Sequence, residues 1–477
     1  MTAKVIYNFF SYLSEKVWSI PTIILILGLG VYFTVKTGFF QFKFSGLILK
    51  KTVFGLLSKK NSSKNGLSPF KTLATTLSAT LGTGSIAGVA TALVAGGPGS
   101  IFWMWISAIF GSMTAYMENL LAVYYRERNN KGEPCGGVMY CFKNGFRFKR
   151  IASLLSTIFC FCCILASFGI GNAVQTNTIS AALGGVCGLS DWVIGVISAV
   201  VIFFIIIFGT KGIANVTAIL LPIMAIFYFL GTAVIIFANI QLVPKMLTLI
   251  VKSAFGFDAM LGGFSGIMIK KAVNLGVRRG IFSNEAGMGS AAIINAAADT
   301  NEPVEQGMWG IFEVVFDTII VCSLTAFALL LSGFFDLETG KILVAADGAE
   351  LVTLAFKQTL GEAAAWFIVV STIFFAFASV LGWSFYGIRC IEYLFGEKYI
   401  LHYKIIFSAF SYFGAVSNLD FIWVVSDVFN GIMMFPNLIC LMALAPIGFK
   451  ITENYILRIK GKNAILPILS FKQDMKT

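Results

Sequence analysis

Charge is what this sequence has least of. Only 12% of its 477 residues are Asp, Glu, Lys or Arg, about half the share found in a soluble globular domain. Mean hydropathy is +0.85. Together these values exclude an ordinary water-soluble fold and point to an all-α chain that crosses a membrane many times. Histidine is almost missing: His402 is the single one. Catalysis by a histidine base and zinc ligation both lose their usual side chain. The nine cysteines show no metal-ligand spacing. Cys160, Cys162 and Cys163 fall in an apolar stretch, where a thiol acts as a small hydrophobe, and Cys135 and Cys141 flank a basic loop. The first apolar run, 17–35, ends at Lys36 without a small-residue cleavage exit, so it reads as a retained helix. The net charge of +12 is not a nucleic-acid footprint, because the Lys and Arg lie in short loops beside apolar runs.

What the sequence has in abundance is span-length apolar segments. A helix needs about 20 apolar residues to cross the bilayer core. Eleven segments qualify: 17–35, 71–94, 98–125, 151–183, 191–209, 214–238, 255–278, 304–332, 361–388, 401–417 and 420–446. The basic loops orient them by the positive-inside rule. Residues 36–71 carry Lys36, Lys43, Lys50, Lys51, Lys59, Lys60, Lys64 and Lys71 and no acid, and 126–150 carry Arg126, Arg128, Lys131, Lys143, Arg147, Lys149 and Arg150 against two acids. Lys211, the Arg278–Arg279 pair, Arg389 and the tail after Lys450 are expected on the same, cytoplasmic side. The loop 333–360, with Asp336, Glu338, Asp347 and Glu350, is expected outside. Eleven helices then place the N-terminus outside and the C-terminus in the cytoplasm of a plasma (inner) membrane protein surrounded by lipid.

Setting aside the first helix leaves two sets of five. Five is odd, so the second set starts from the opposite side, as an inverted repeat requires. The expected division is residues 1–70 for the extra helix and its basic segment, 71–238 and 239–446 for the repeats, and 447–477 for a cytoplasmic tail. The first helix of set one is interrupted by Gly82-Thr83-Gly84, and that of set two by Gly262-Gly263-Phe264-Ser265-Gly266. Unwinding a helix inside a membrane frees backbone groups that must line an enclosed cavity. The half-helix beginning near Ser85 offers a partially positive N-terminus to a carboxylate, and the one ending near Leu81 offers carbonyls to a cation. Gly-x-Gly also serves close helix packing. The matching interruption in set two favours a site for a zwitterion plus a small cation.

The stretch GTGSIAGVATALVAGGPGSIFWMW from Gly82, RRGIFSNEAGMGSAAIINAAADT at 278–300, VFDTIIVCSLTAFALLLSG at 315–333 and SVLGWSFYG at 379–387 resemble the signatures of the alanine or glycine:cation symporter family, within the amino acid–polyamine–organocation superfamily. The likeness runs from about residue 70 to 446. It implies the LeuT-like 5+5 fold and sodium-coupled uptake of small neutral amino acids, alanine or glycine, with Na+ as coupling ion and no organic cofactor. Carried over by position, Thr83 and Gly84 match the unwound amides that hold the substrate carboxylate. Ser78 and Leu81 match carbonyls of the sodium site, and Ser379 matches the hydroxyl that completes it. Gln175 matches a polar position facing substrate, and Phe264, Ile267 and Trp383 form the apolar wall. Ser85 stands where the family has Asn, and Ala378 where it often has a second hydroxyl. Both changes bear on cation binding.

Other residues carry two readings each. Trp103 and Trp105 follow an expected external turn at 96–99 and read as interfacial anchors. Glu118, near a helix end, reads as a group reaching water, and Asp317, deeper, as either a gating group or a structural one. Asn284 and Glu285 are expected to tie a cytoplasmic loop to the inner gate. Rival functions are a proton-coupled carrier, a channel and an intramembrane enzyme. A channel would need a continuous polar lining and an enzyme a paired acid or nucleophile set, and neither pattern is evident.

Overall fold

In the computed structural model, which describes residues 2–57, 66–256, 265–361, 363–417, 420–461 and 465–474, the apolar runs are helices. In chain order they are α1 (Thr2–Val17), α2 (Ile20–Lys36), α3 (Pro69–Thr80), α4 (Ala87–Gly96), α5 (Gly99–Tyr124), α6 (Lys149–Phe168), α7 (Val174–Cys187), α8 (Asp191–Ile206), α9 (Gly209–Ala238), α10 (Val243–Phe255), α11 (Ser265–Asn284), α12 (Ala291–Asn295), α13 (Pro303–Val314), α14 (Ser323–Leu331), α15 (Gly348–Leu360), α16 (Ala363–Phe395), α17 (Ile400–Val416) and α18 (Asp420–Ile459). Helices are the natural outcome, because in an apolar medium each backbone group must find its partner within its own segment. The described residues of the eleven expected segments are mostly helical, with 71–94 broken between Thr80 and Ala87. By length and composition, seven of the described helices can cross a membrane, and the bent pair α3–α4 makes an eighth. Helices α8 and α17, at 16 and 17 residues, are shorter, and α11 carries Lys270, Lys271, Arg278 and Arg279.

Two long helices contain a wider π turn. Residues Gly169–Ala173 join α6 to α7, and Val315–Cys322 join α13 to α14. Such turns interrupt the regular bonding ladder and are frequent at functional sites. Helix α5 is the central post, packed by α2, α10, α11 and α13. Small residues bring its neighbours close: a Cβ at Gly276 of α11 would fall 2.3 Å from the Ser100 carbonyl, and one at Gly310 of α13 2.7 Å from that of Ala115. This is how membrane helices gain van der Waals contact where water supplies no driving force.

Basic side chains gather at one end of the bundle. Lys51 pairs with Glu305, Arg389 with Glu133 and Glu392, and Arg458 with Glu302. Arg126 donates to the carbonyls of Ala296, Ala298 and Thr300. The segment 333–361 lies at the other end, where Lys245 pairs with Glu338 and Gly340 abuts Pro98.

Several expectations need correction. Ahead of the first expected span, residues 2–17 form a further helix, α1, which packs on α18. The Arg278–Arg279 pair does not share the basic end. Arg278 pairs with Asp427 at 2.5 Å and stacks over Trp18, and Arg279 lies within range of the Asp347 charge of the acidic segment. Charge counting failed there because an arginine neutralised inside the protein says nothing about the loop it borders. Trp103 and Trp105 are half-buried and donate to the Ala254 carbonyl and the Ser323 hydroxyl, so each also fastens α5 to a neighbouring segment. Lys59, Lys60, Lys64, Gly262, Gly263 and Phe264 lie outside the described residues, as do the side chains of Ser265 and Ile267.

Candidate functional site

The first interruption sits where the sequence places it. Helix α3 stops at Thr80, a short 3-10 turn covers Thr83–Ser85, and α4 leaves at 63° to α3. The diverted hydrogen bonds show which carbonyls are released. Gly82 N donates to Thr80 O at 2.8 Å, not to Ser78 four residues back. Ser85 N donates to Gly82 O at 3.3 Å, not to Leu81. Ser78 and Leu81 thus lose the donors a continuous helix would give them. Ser379 of α16 stands directly opposite: its hydroxyl donates to Ala79 O at 3.3 Å and lies 3.0 Å from a Cβ built on Gly82. The approach depends on Gly382, whose Cβ would strike the Ala79 backbone at 2.6 Å.

Around this turn two polar atoms are buried without partners, Ser78 Oγ and Gln175 Oε1. Gln175 is turned toward Gly82 by its amide nitrogen, 3.4 Å from the Cβ position, and donates to Ile170 O at 3.1 Å across the π turn. Trp383, 3% exposed, stands one turn beyond Ser379 and fills the space over Gly171, where a side chain would collide with its ring. Its edge meets Tyr386 at 5.3 Å.

The expected interruption at 262–266 falls largely outside the described residues, and a second break appears further along the chain. Ser265 and Gly266 open α11, which runs unbroken to Asn284. The chain then leaves helical geometry through Glu285 (φ +56°), Gly287 (φ +93°) and Gly289 (φ +79°) before α12. A non-glycine residue at positive φ is uncommon, so Glu285 is held there by its contacts. Its carboxylate accepts from Ser290 Oγ at 2.5 Å and from Tyr386 OH at 3.1 Å. The freed amides of Gly287 and Gly289 donate to Glu118 Oε1 of α5 at 3.0 and 3.1 Å, and Asn437 of α18 bridges the same oxygen and the Gly287 carbonyl. Glu118 therefore does not reach water, and Asn284 and Glu285 belong to a buried helix break instead of a surface loop. Asn284 donates to Thr318 Oγ1 at 2.9 Å. The signal for this break was present in the sequence: Gly287-Met288-Gly289-Ser290 repeats the Gly-x-Gly-Ser pattern of Gly82-Thr83-Gly84-Ser85.

The two interruptions meet. Phe282 lies 3.5 Å from a Cβ on Gly84, Ser85 Oγ is 2.9 Å from Ser283 Oγ, and both hydroxyls donate to Asp317 Oδ1, at 2.8 and 3.0 Å. Thr318 donates to the other carboxylate oxygen at 2.9 Å. Asp317 sits in the second π turn, and none of the described ion pairs reaches it. Thr83 is buried beside Ser85 in the 3-10 turn of the first interruption. The arrangement joins released carbonyls, hydroxyls and an unneutralised carboxylate in a dry interior, which is chemistry suited to a small cation.

Known proteins agree with this picture. A family model described as the sodium:alanine symporter family matches residues 3–466. The chain is 39% identical to the sodium/alanine symporter AgcS of Methanococcus maripaludis, over 94% of this chain and 97% of that one. It is 35% identical to the probable sodium/glutamine symporter GlnT of Bacillus subtilis, over 95% and 91%. Among solved structures, MhsT in complex with L-phenylalanine is similar in fold, with TM-score 0.54 and 12% identity, covering 82% of this chain and 99% of that one. This chain is therefore a helical membrane protein of transporter fold, and it belongs to the sodium:alanine symporter family.

Proposed function

We propose that the protein takes up a small neutral amino acid, alanine or glycine, together with sodium by alternating access. The observation that carries this reading is the meeting of two helix interruptions over one unneutralised carboxylate, Ser85–Asp317–Ser283. In this reading the amides of Thr83 and Gly84 receive the substrate carboxylate, and Gln175 and Trp383 enclose the rest; Ile267 lies 15 residues before Phe282 on the unbroken α11, about 22 Å along that helix, and is not part of this wall. The carbonyls of Ser78 and Leu81 with the Ser379 hydroxyl hold sodium, and Ser85 with Asp317 adds oxygens toward a cation. Asp317 supplies the charge that the shorter Ser85 side chain does not. Eleven spans with a 5+5 inverted repeat over 71–238 and 239–446 and the N-terminus outside complete the proposed architecture. One helix bundle rocks against the scaffold around the fixed site.

A zwitterion carries no net charge, so a cation must bring the driving force. One charge crossing about 100 mV gains roughly 2.3 kcal/mol, which at about 1.36 kcal/mol per decade supports roughly 50-fold accumulation before any ion gradient is counted. The test is labelled alanine uptake into proteoliposomes under an inward sodium gradient, compared with potassium and with an imposed proton gradient. Saturable uptake with sodium alone is expected. Equal uptake with protons would move the coupling ion and keep the fold and substrate, and passive, non-saturable flux would favour a channel.

A further inference from the structure

Away from the interrupted helices, a cavity of about 240 Å³ opens at the basic end of the bundle. It lies between the start of α9, the last turns of α16, the start of α17 and a short hairpin in which Glu127–Arg128 pairs with Pro134–Cys135. Four cations line it, Lys131, Lys211, Arg389 and Lys404, against two carboxylates, Glu133 and Glu392. Both carboxylates are already engaged. Arg389 donates to Glu133 Oε2 at 3.0 Å and to Glu392 Oε2 at 2.6 Å. Asn129 Nδ2 donates to Glu392 Oε1 at 2.8 Å, and Lys211 lies 3.9 Å from Glu133 Oε1. Lys131 meets Glu397 at 3.4 Å. Lys404 is the charge left over. It is 7% exposed, and its ammonium donates to the Ile207 carbonyl at 3.1 Å. None of the described ion pairs gives it a carboxylate. A buried ammonium without a counter-charge is costly.

Two further features of the cavity suit an anion. Arg389, 5% exposed, keeps one donor unmet, because its Nε is buried without an acceptor. The first turn of α9, Gly209–Lys211, borders the same space. Its amides have no acceptor within the helix, and the N-terminal end of a helix favours negative charge. The fitting partner is therefore an anion with several oxygens. The surroundings point to its source. Phe208 in the cavity wall is 76% exposed, and Phe204 of α8 and Leu401 and Ile405 of α17, on the two helices that pack together there, are exposed as well. On a membrane protein such apolar side chains meet acyl chains, and basic pockets between membrane helices take anionic headgroups.

We propose that this cavity binds the phosphate group of an anionic membrane lipid, with Lys404 and Lys211 as its charged partners. A bound headgroup ties the start of α9 to α16, α17 and the hairpin. The test is thermal unfolding of the full-length protein in neutral detergent with phosphatidylglycerol, phosphatidylcholine or inorganic phosphate added. A ligand that binds the folded state alone raises Tm with its concentration. Phosphatidylglycerol is expected to raise Tm to a plateau, and phosphatidylcholine, whose choline offsets the phosphate charge, to raise it less. K404Q is expected to lose most of the phosphatidylglycerol effect, and K450Q, at an exposed lysine of α18, to keep it. Equal rises with both lipids, an undiminished rise in K404Q, or an equal loss in K450Q each overturn the proposal. A rise with inorganic phosphate as large as with phosphatidylglycerol overturns the lipid source and assigns the cavity to free phosphate. Should K404Q not fold, K211Q decides, since the Lys211 side chain is 51% exposed, and an undiminished rise there overturns the site.

Discussion

At the scale of single residues, Trp383 and Asp317 have the clearest consequences. Trp383 occupies the space left by Gly171 beside Ser379 and Gln175. Removing its ring should open the proposed pocket to larger side chains. Each methylene excluded by a pocket is worth about 1–3 kcal/mol, so W383A is expected to lower the preference for alanine over leucine by about tenfold or more. Competition of unlabelled amino acids against labelled alanine measures this, and an unchanged ratio would remove Trp383 from the pocket wall. Asp317 is tested by D317N, which keeps the shape and removes the charge facing Ser85 and Ser283. Hydrogen bonds to charged groups are worth about 1.5–3 kcal/mol, so the sodium concentration for half-maximal uptake should rise about tenfold. Sodium titration of uptake at fixed alanine reads it directly. If sodium dependence stays as in wild type, Asp317 holds the two breaks together and does not serve a cation.

At the scale of elements, the molecule depends on how two interrupted helices are held open. The first is held by close approach, Gly382 of α16 lying on Ala79. The second is held by polar wiring, with Glu118 taking two backbone amides and Asn437. Glu118→Gln keeps an oxygen where the two glycine amides and Asn437 converge but removes the charge that strengthens those bonds. The expected cost is about 1 kcal/mol, the difference between hydrogen bonds to a charged and to a neutral acceptor. It should appear as a lower Tm of the purified protein, and E118D, which keeps the charge with a shorter reach, should recover part of it. An unchanged Tm in E118Q would mean that the break is held without the charge of Glu118. The first break was legible in the sequence because an apolar run of full length contained Gly-x-Gly. The break at Glu285–Gly289 was not read from the sequence because the Arg278–Arg279 pair looked like the end of a span, and the polar run Ser283–Glu285 then looked like a loop. Those polar groups are buried only because α5, α16 and α18 bring Glu118, Tyr386 and Asn437 to them.

At the scale of the whole molecule, orientation is the open quantity with the simplest measurement. Cys187 is exposed, at the junction of α7 and α8, and the other eight cysteines are buried. With the N-terminus outside, the turn after α7 faces the exterior. A membrane-impermeant maleimide added to intact cells should therefore modify the native protein, and C187S should abolish the labelling. Labelling that requires permeabilised cells would reverse the proposed topology.

The sequence alone determined that the chain is helical, that it spans a membrane many times, and that Gly82–Ser85 is a deliberate weak point. These follow from local properties: composition, run length and the conformational freedom of glycine. Resemblance to a known family singled out Ser78, Leu81, Gln175, Ser379 and Trp383, which the structure gathers around Gly82 and Gly171. Only the tertiary structure decided the partner of that weak point. Ser283, Asn284, Glu285 and Asp317 read as a loop and an isolated acid until α11 and the π turn at Val315–Cys322 bring them against Ser85. The reason is physical. Whether a polar residue in a membrane protein is a surface group or a buried ligand depends on which side chains from distant helices satisfy it, and residues 34 to 232 positions apart along the chain supply those partners here.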